Sequence, residues 1–346
     1  METGEKRELL SLETHELEAW MREVGEPKFR VAQLFPQLHR GLAPSEMTNL
    51  GKALQAKLGE HFIWHLPVVE QKLVSKLDGT VKYLFSLRDG HCVESVVMRY
   101  EHGNTICISS QVGCRMGCKF CASTIGGRVR DLTPGELLGQ VISAQKDLGE
   151  RISNIVMMGI GEPLDNYDNV LKFLRLVNLE KGLNIGMRHI SLSTCGLVNR
   201  MDDLARENLQ ITLSVSLHAA TDEKRKEIMP VARRYSLSEL MAACDRYTKA
   251  TGRRISYEYA LISGVNDTPE DAHLLGKLLK GRLAHLNLIP VNPIKERDFK
   301  KSEKEAIKAF TDITENTYKI STTVRRKLGG DIDASCGQLR AQRDGL

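Results

Sequence analysis

The sequence lacks the long apolar segments that mark membrane proteins and secreted proteins. Its 346 residues contain no run of the roughly 18 apolar residues that a membrane-spanning helix requires. Residues 1–7 are charged, and no apolar signal-peptide core follows them. Internal repeats, low-complexity segments and coiled-coil heptads are also missing. These absences predict a cytoplasmic protein that works away from membranes and as a monomer.

What is present is an ordinary globular composition with many cysteines. Apolar residues make up 41% of the chain and charged residues 27%, which suits one large α/β domain with a smaller accessory domain. The net charge of +5 permits binding to nucleic acid without requiring it. Three of the eight cysteines are clustered. In a reducing compartment, such a cluster indicates a metal site or catalysis rather than structural disulfides.

The pattern of apolar residues divides the chain into three predicted parts. Residues 1–62 have helical periodicity after Thr14 and again after Ser45, and an apolar segment between these helices is expected to stop at Pro36. In residues 63–100, turn signals separate short β-like runs, which predicts a β-hairpin connector. Residues 101–346 alternate strand-like and helix-like segments, which predicts a parallel sheet, open or closed as a barrel.

Individual elements can be placed within the alternating part. The predicted strands are Thr105–Ser109, Asn154–Met158, His189–Ser193, Gln210–Leu217, Ile255–Ile262, His285–Val291 and Ile320–Arg325. The predicted helices include Thr133–Leu148, Asp168–Val177, Leu237–Lys249 and Pro269–Lys280. In barrels of this kind the chemistry lies at the carboxyl ends of the strands. Polar and cysteine-rich segments follow several of these strands, so we expect them to converge on one site.

Three cysteines follow the first predicted strand in a C-x3-C-x2-C array: Cys114, Cys118 and Cys121. Three thiolates can bind three irons of a 4Fe–4S cluster and leave the fourth iron open to a small molecule. The alternative is a structural zinc site, which needs four ligands, and Cys107 could supply the fourth. The spacing favours the iron–sulfur cluster and leaves zinc as the second interpretation.

The array, with an aromatic residue before its last cysteine, resembles the signature of the radical S-adenosylmethionine (SAM) superfamily. The step Gly161-Glu162-Pro163 resembles the superfamily strand that contacts the amino group of SAM. Further segments resemble the family of adenine-C2 RNA methyltransferases that act on 23S rRNA and tRNA. They are residues 107–114, 158–163, 216–219, 264–267, 287–292 and 331–339. The resemblance implies a partial TIM-like (β/α)6 barrel of the radical SAM type with a small N-terminal helical domain.

The resemblance also implies a reaction with two SAM molecules and a methylcysteine intermediate. One SAM methylates Cys336, and the second is cleaved at the cluster to a 5′-deoxyadenosyl radical that takes a hydrogen from the new methyl group. The carbon radical adds to carbon 2 of adenine, Glu94 removes the proton there, and Cys107 releases the product by forming a transient disulfide with Cys336. The route through sulfur makes chemical sense, because carbon 2 is electron-poor whereas a thiolate accepts a methyl group readily.

Cofactor contacts follow from the same resemblance. The 4Fe–4S cluster is assigned to the three cysteines of the array. The implied SAM contacts are Gly161, Glu162, Ser193, Ser216, Leu217, His218 and Asn292. Without the resemblance, each has an ordinary structural interpretation; for example, His218 could be a buried core histidine.

The implied partners are RNA and a reductant. The resemblance points to the peptidyl-transferase region of 23S rRNA, to tRNA on the 3′ side of the anticodon, and to a flavodoxin-like electron donor. Basic clusters supply candidate phosphate contacts. They are Lys224–Lys226, Arg233–Arg234, Arg253–Arg254, Lys295–Lys301 and Arg325–Lys327.

Three other functions remain open at this point. A relative that methylates carbon 8 of the same rRNA adenine, and so confers antibiotic resistance, shares the cluster and the paired cysteines; residues 121–127 are more similar to the carbon-2 group. A zinc-stabilised RNA-binding protein without catalysis would explain the array but not Cys336 or Glu94. A radical SAM activase with a protein substrate would not need the pair Cys107 and Cys336.

Overall fold

The computed structural model describes residues 6–340, so residues 1–5 and 341–346 of the first and last predicted parts lie outside the described residues. Three short helices and a small parallel pair of strands come first. They are β1 (Arg7–Glu8), α1 (Thr14–Glu23), α2 (Phe29–Leu38), α3 (Lys52–His61) and β2 (Phe62–Ile63). Apolar faces of all three helices are buried in the main hydrophobic core.

Two details of the N-terminal prediction are wrong. Helix α2 continues through Pro36 to Leu38. Because Pro36 lies in the last turn, its missing N–H and its ring cost one hydrogen bond near the helix end rather than breaking the helix. Ser45 lies within a single 3₁₀ turn, Pro44–Glu46, and α3 begins only at Lys52. The apolar stripe that suggested one helix is therefore shared between a turn and a helix.

The rest of the chain is organised around a sheet of ten strands. The further strands are β3 (Val68–Val74), β4 (Val81–Ser86), β5 (Cys92–Tyr100), β6 (Gly103–Cys107), β7 (Gln111–Gly113), β8 (Arg128–Asp131), β9 (Ile152–Met157), β10 (Ile190–Thr194), β11 (Thr212–Ser216), β12 (Ile255–Leu261), β13 (Ala284–Pro290) and β14 (Ser321–Val324). The further helices are α4 (Pro134–Leu148), α5 (Tyr167–Asn178), α6 (Val198–Arg206), α7 (Asp222–Ile228), α8 (Leu237–Thr251), α9 (Pro269–Leu279) and α10 (Lys304–Asp312). The seven predicted strands and four predicted helices are present, with ends shifted by a few residues.

The sheet order is β14-β13-β12-β11-β10-β9-β6-β5-β4-β3. Strand β6 and strands β9 to β14 run parallel, and six helical crossovers connect them. Strands β3 to β5 extend this sheet by antiparallel pairing onto β6. The predicted connector is thus continuous with the main sheet, and the divisions at residues 62 and 100 stay predictions. Side chains from β5 to β14 surround a common interior, as in a partial barrel.

Local sequence explains why the crossover helices form where they do. Helix α4 begins with a capping box in which Thr133 and Glu136 exchange hydrogen bonds, and Pro134 fills the first helical position. Gly149 ends the helix with a φ of 65°. Helices α8 and α9 start with the same kind of box. None of the helices described in residues 6–340 is long and apolar enough to cross a membrane.

Candidate active site

Two cavities meet at the carboxyl ends of the parallel strands. We call the first the cysteine cavity, because Cys114, Cys118 and Cys121 line it. We call the second the basic cavity; it has a volume of about 760 Å³ and extends through the interior of the sheet. The cysteine cavity has the smaller volume of the two. The walls that they share include Cys336 and Arg325.

The cysteine array is held by the small β7–β8 pair. The N–H of Cys114 donates to the carbonyl of Gly127 at 2.9 Å. At Gly113 the backbone has a φ of 73°, and a Cβ there would lie 1.9 Å from that same carbonyl oxygen, so only glycine fits. Burial raises the pKa of the Cys114 thiol to about 12 and also raises that of Cys121. Free thiols at this position would therefore be protonated unless a metal binds them.

Three thiols on one cavity wall suit an iron–sulfur cluster with one open iron. The three cysteines line the cysteine cavity together with Glu162, Cys195 and His218. Cys107, the fourth ligand of the zinc interpretation, lies on the wall of the basic cavity instead. The cysteine cavity therefore does not contain the fourth ligand that the zinc interpretation named.

Glu162 ties two strand-end loops together beside the array. Its Oε2 accepts from the N–H of Cys195 at 2.7 Å, and its Oε1 accepts from the N–H of Leu164 at 3.1 Å. The carboxylate is buried and lines the cysteine cavity. Burial raises its pKa, and these backbone hydrogen bonds oppose that rise. Cys195, for which no role was predicted, therefore forms part of the cavity wall and positions Glu162.

Gly161 precedes this carboxylate with a φ of 107°, and a Cβ there would lie 2.6 Å from the Ser110 Oγ. Any larger residue would push the loop away from the cavity. Ser193 and Ser216 line the same cavity at the ends of β10 and β11. Asn292 lines both cavities, and its Nδ2 donates to the Cys336 carbonyl at 3.1 Å. Five predicted SAM contacts thus surround one space, with Glu162 among them.

His218 lies on the opposite wall in a left-handed conformation, with a φ of 56°. Its Nδ1 accepts from the N–H of Ala260 at 2.8 Å, which leaves the proton on Nε2. Burial lowers its pKa to about 3, so the ring is neutral. The ring packs edge-on against Phe120, with 4.8 Å between centroids. The aromatic residue of the array therefore packs against the loop after β11.

Leu217 differs from the other predicted SAM contacts. Its side chain is fully buried in the hydrophobic core and lines neither cavity. Its N–H donates to the Glu258 carbonyl at 3.0 Å, and its own carbonyl accepts from Arg225 at 3.1 Å. Both of its main-chain polar groups thus have protein partners, and the residue holds the loop in place.

Cys336 and Cys107 are brought together from positions that are far apart in sequence. Both line the basic cavity, and both are free thiols. Burial raises the pKa of Cys107 to about 12, and the neighbouring Cys336 adds to the rise. Burial also raises the pKa of Cys336, while the adjacent Arg325 guanidinium opposes this rise. Arg325 contacts the Met158 Sδ at 3.2 Å as well, so one cation lies among the sulfur atoms at the junction.

The loop that carries Cys336 is clasped by the hairpin turn between β3 and β4. The Oγ of Ser75 donates to Asp331 at 2.6 Å, and the N–H of Lys76 donates to the same carboxylate at 2.9 Å. In return, the N–H of Gly329 donates to Asp78 at 2.9 Å. The position of the loop is therefore determined by a turn some 250 residues earlier in the chain.

Glu94 faces the interior of the sheet but lines neither cavity. It lies on the same face of β5 as Val96 and Met98, which do line the basic cavity. Its carboxylate is buried, pairs with Lys82 at 3.2 Å and accepts from the N–H of Arg340 at 2.6 Å. The residues just after Cys336 therefore lie between this carboxylate and the open space.

The basic cavity has a strongly cationic lining. The lysines and arginines on its wall are Arg188, Lys301, Lys304, Lys308, Arg325, Arg326 and Lys327, and one carboxylate, Asp312, lies among them. The predicted cluster Arg325–Lys327 and Lys301 thus belong to this wall. Arg188, Lys304 and Lys308 were missed, because they do not lie in basic runs of sequence.

One predicted RNA contact is wrong. Arg225 is fully buried, with 0% of its surface exposed, so it cannot reach a phosphate from solvent. Lys224 beside it is paired with Asp271 at 2.7 Å. The run that looked basic in sequence therefore presents only Lys226 as an exposed charge without an ion pair within residues 6–340. Helix periodicity, which turns neighbouring residues to different faces, explains the difference.

The curved sheet and the three cysteines at its carboxyl end define a radical SAM enzyme, and known proteins agree. The family model of the Radical SAM superfamily matches residues 108–275, and the model of the ribosomal RNA large subunit methyltransferase N-terminal domain matches residues 7–63. A Clostridium perfringens protein described as "probable dual-specificity RNA methyltransferase RlmN" is 57% identical over 336 residues, 96% of each chain. A similarly described protein of Clostridium acetobutylicum is 56% identical over 333 residues, again 96% of each.

A solved structure is also similar. The radical SAM methyltransferase from Sphaerobacter thermophilus superimposes with a TM-score of 0.93 at 42% identity, over 97% of this chain and 100% of that one. The chain therefore belongs to the family of dual-specificity RNA methyltransferases. The predicted fold class and family are confirmed, and membership in the superfamily implies SAM and a 4Fe–4S cluster as cofactors.

Proposed function

We propose that the protein methylates carbon 2 of an adenine in 23S rRNA and in tRNA, with Cys336 as the carrier of the methyl group. The observation that carries this proposal is the position of Cys336 on the walls of both cavities. One sulfur can then take a methyl group on the side of the cysteine cavity and present it to RNA on the side of the basic cavity. No other arrangement of the described cysteines joins the two spaces.

Cys114, Cys118 and Cys121 hold the cluster in this proposal, and Gly161, Glu162, Ser193, Ser216, His218 and Asn292 hold SAM, with Leu217 contributing through its main chain. When bound, these cofactors supply the radical that activates the methyl group. The protein keeps the neutral His218 ring and the Glu162 carboxylate fixed by backbone hydrogen bonds. Such pre-organisation is what directs a reactive species to one target.

Release of the product is assigned to Cys107. Once the methylene carbon derived from the Cys336 methyl group has joined adenine, the adduct radical must give up one electron, for which the iron–sulfur cluster would be the acceptor. The Cys107 thiolate then attacks the Cys336 sulfur: a disulfide forms, the carbon–sulfur bond breaks, and its electron pair leaves with the methylene carbon, which takes up a proton to become the methyl group. The thiol must first lose its proton, and Arg325 is the cation nearest to both sulfur atoms. Glu94 accepts the proton from carbon 2, which requires residues Leu339–Arg340 to move away from its carboxylate.

RNA binding is assigned to the basic cavity and its rim. Carbon 2 of adenine is hidden inside a helix, so the base must be unstacked before it can react. The cavity volume of about 760 Å³ accommodates an unstacked nucleotide. Exposed cations such as Arg188, Lys301 and Lys304 then contact phosphates. The protein acts in the cytoplasm, as a monomer, with a flavodoxin-like protein as its reductant.

The test is mass spectrometry on protein purified anaerobically, with iron measured on the same sample. A methyl group on Cys336 together with iron supports the proposal. Chromatography of nucleosides from the treated RNA then separates 2-methyladenosine from its carbon-8 isomer. The carbon-8 product would replace the carbon-2 assignment, and zinc in place of iron would overturn the radical mechanism altogether.

A further inference from the structure

Arg225 is a fully buried cation behind the wall of the cysteine cavity. It lies on α7, and its guanidinium donates only to main-chain carbonyls. Nη2 donates to Cys195 at 2.7 Å and to Ser216 at 3.3 Å, and Nε donates to Leu217 at 3.1 Å. These carbonyls belong to the loops after β10 and β11, so the side chain joins two loops of the proposed SAM site.

Within residues 6–340 the charge of Arg225 is only partly compensated. No carboxylate there forms an ion pair with it, and its Nη1 has no hydrogen-bond partner. The negative charge of Asp222 acts on the guanidinium without contacting it, since this carboxylate accepts the N–H of Leu237 at 2.8 Å. A buried charge in this position is unfavourable, because hydrogen bonds to neutral carbonyls replace only part of its hydration. A negative group that is not part of the protein chain would remove that penalty.

The cysteine array is where such a group would be bound. Lys119 lies between two cysteines of the array. Its N–H donates to the carbonyl of Ile228, the last residue of α7, over 2.9 Å. Gly117 packs against Pro230: a Cβ on residue 117 would lie 3.3 Å from the Cγ of Pro230. The carbonyl that Arg225 holds at 2.7 Å belongs to Cys195, which lines the cysteine cavity together with the array. The guanidinium thus lies directly behind the wall that the array shares.

We propose that Arg225 is the buried counter-charge of the iron–sulfur cluster and makes the cluster easier to reduce. The inference rests on the proposed assignment of the cluster to Cys114, Cys118 and Cys121. On reduction the cluster accepts one electron from a one-electron reductant, no covalent bond changes, and the cluster gains one negative charge. A fixed cation in a site of low dielectric stabilises that added charge.

The test is the reduction midpoint of the cluster, without SAM or RNA, in an anaerobic dithionite titration followed by electron paramagnetic resonance. Arg225→Gln should weaken reduction at least tenfold, which is 59 mV for a one-electron couple. Arg225→Lys, which keeps the charge but has fewer donors, should stay near the wild type. The matched control is Arg246→Gln. It removes an exposed arginine of α8 that pairs with Asp202 of α6, and it should leave the midpoint unchanged.

An unchanged midpoint in Arg225→Gln with full iron content would overturn the proposal. Equal shifts in Arg225→Gln and Arg225→Lys would also overturn it, because they would show that Arg225 only ties the loops. If wild-type protein binds no iron at all, the proposed function fails first, and the two failures are therefore distinguishable.

A second measurement needs no variant, in case Arg225→Gln does not fold. Hydrogen exchange of wild-type protein is compared with and without the cluster. Loss of the counter-ion should speed exchange in α7 while leaving the middle of α8 unchanged. Equal protection of α7 in both forms would contradict the role of Arg225 as a counter-charge.

Discussion

The cysteine cavity and the basic cavity are built in opposite ways. Around the cysteine cavity, buried polar groups are fixed by short hydrogen bonds, such as Cys195 to Glu162 and Ala260 to His218. Around the basic cavity, long cationic side chains are exposed, and several of them have no ion pair within residues 6–340. A rigid site suits a reactive small cofactor, whereas mobile cations suit a polymer whose phosphates vary in position.

Six residues line both cavities, and three of them, Met158, Ile289 and Leu339, are apolar. The other three are Cys336, Asn292 and Arg325. If the comparison is correct, changes at these shared residues should stop turnover, while changes within one region should affect only one partial reaction. Four expected results follow, in order of decreasing effect.

Replacing Cys336 by Ala should abolish RNA methylation, because no other described cysteine faces both cavities. Nucleoside mass spectrometry after incubation with RNA and SAM would measure this. Cys244→Ala is the matched control: Cys244 is buried in α8, away from both cavities, and this variant should retain activity. Full activity of Cys336→Ala would remove the methylcysteine mechanism and, with it, the link between the cavities.

Replacing Cys107 by Ala should allow the carbon–carbon bond to form but prevent its release, so turnover stops at one RNA per protein or fewer. A denaturing gel should then show RNA covalently attached to protein. The double variant lacking Cys336 as well should show no adduct. Multiple turnovers by Cys107→Ala would show that another group resolves the adduct.

Alkylation of Cys107 should be slow and strongly dependent on pH. Its pKa is raised to about 12, so the thiol is protonated at neutral pH and the thiolate appears only as the pH rises. At pH 8 the rate with iodoacetamide should be about 30-fold below that of a thiol with an ordinary pKa, after allowing for the greater nucleophilicity of a more basic thiolate. Peptide mass spectrometry gives the rate, which should keep rising up to pH 11. A plateau near pH 9 would contradict a partly buried Cys107 that is protonated at neutral pH.

Neutralising Lys301 and Lys304 together should weaken RNA binding by about tenfold and lower the salt dependence of binding, because two phosphate contacts are lost. Reductive SAM cleavage without RNA should be unchanged, since neither residue lines the cysteine cavity. The double variant Lys249→Gln with Lys277→Gln, exposed substitutions on α8 and α9, removes the same two charges and controls for net charge. Equal weakening by this control would place the RNA elsewhere on the surface.

Much of this architecture was predictable because its signals are local. The strands, the capping boxes of α4, α8 and α9, and the cysteine array each depend on a few neighbouring residues. Burial of Arg225 could not be predicted, because basic neighbours in sequence turn to different faces once α7 forms. Nor could the cover over Glu94, since Arg340 is 246 residues away in the chain. Contacts at such distances depend on how the whole sheet curves.

The clasp between the hairpin turn at Ser75 and the loop at Asp331 has a consequence for folding. It joins residues 256 positions apart, so it cannot form before the sheet between them has been assembled. Long-range closures of this kind are late steps in folding and the first to reopen in local fluctuations. The loop that carries Cys336 therefore reaches its final position only after the strands that bear the proposed cofactor site have paired.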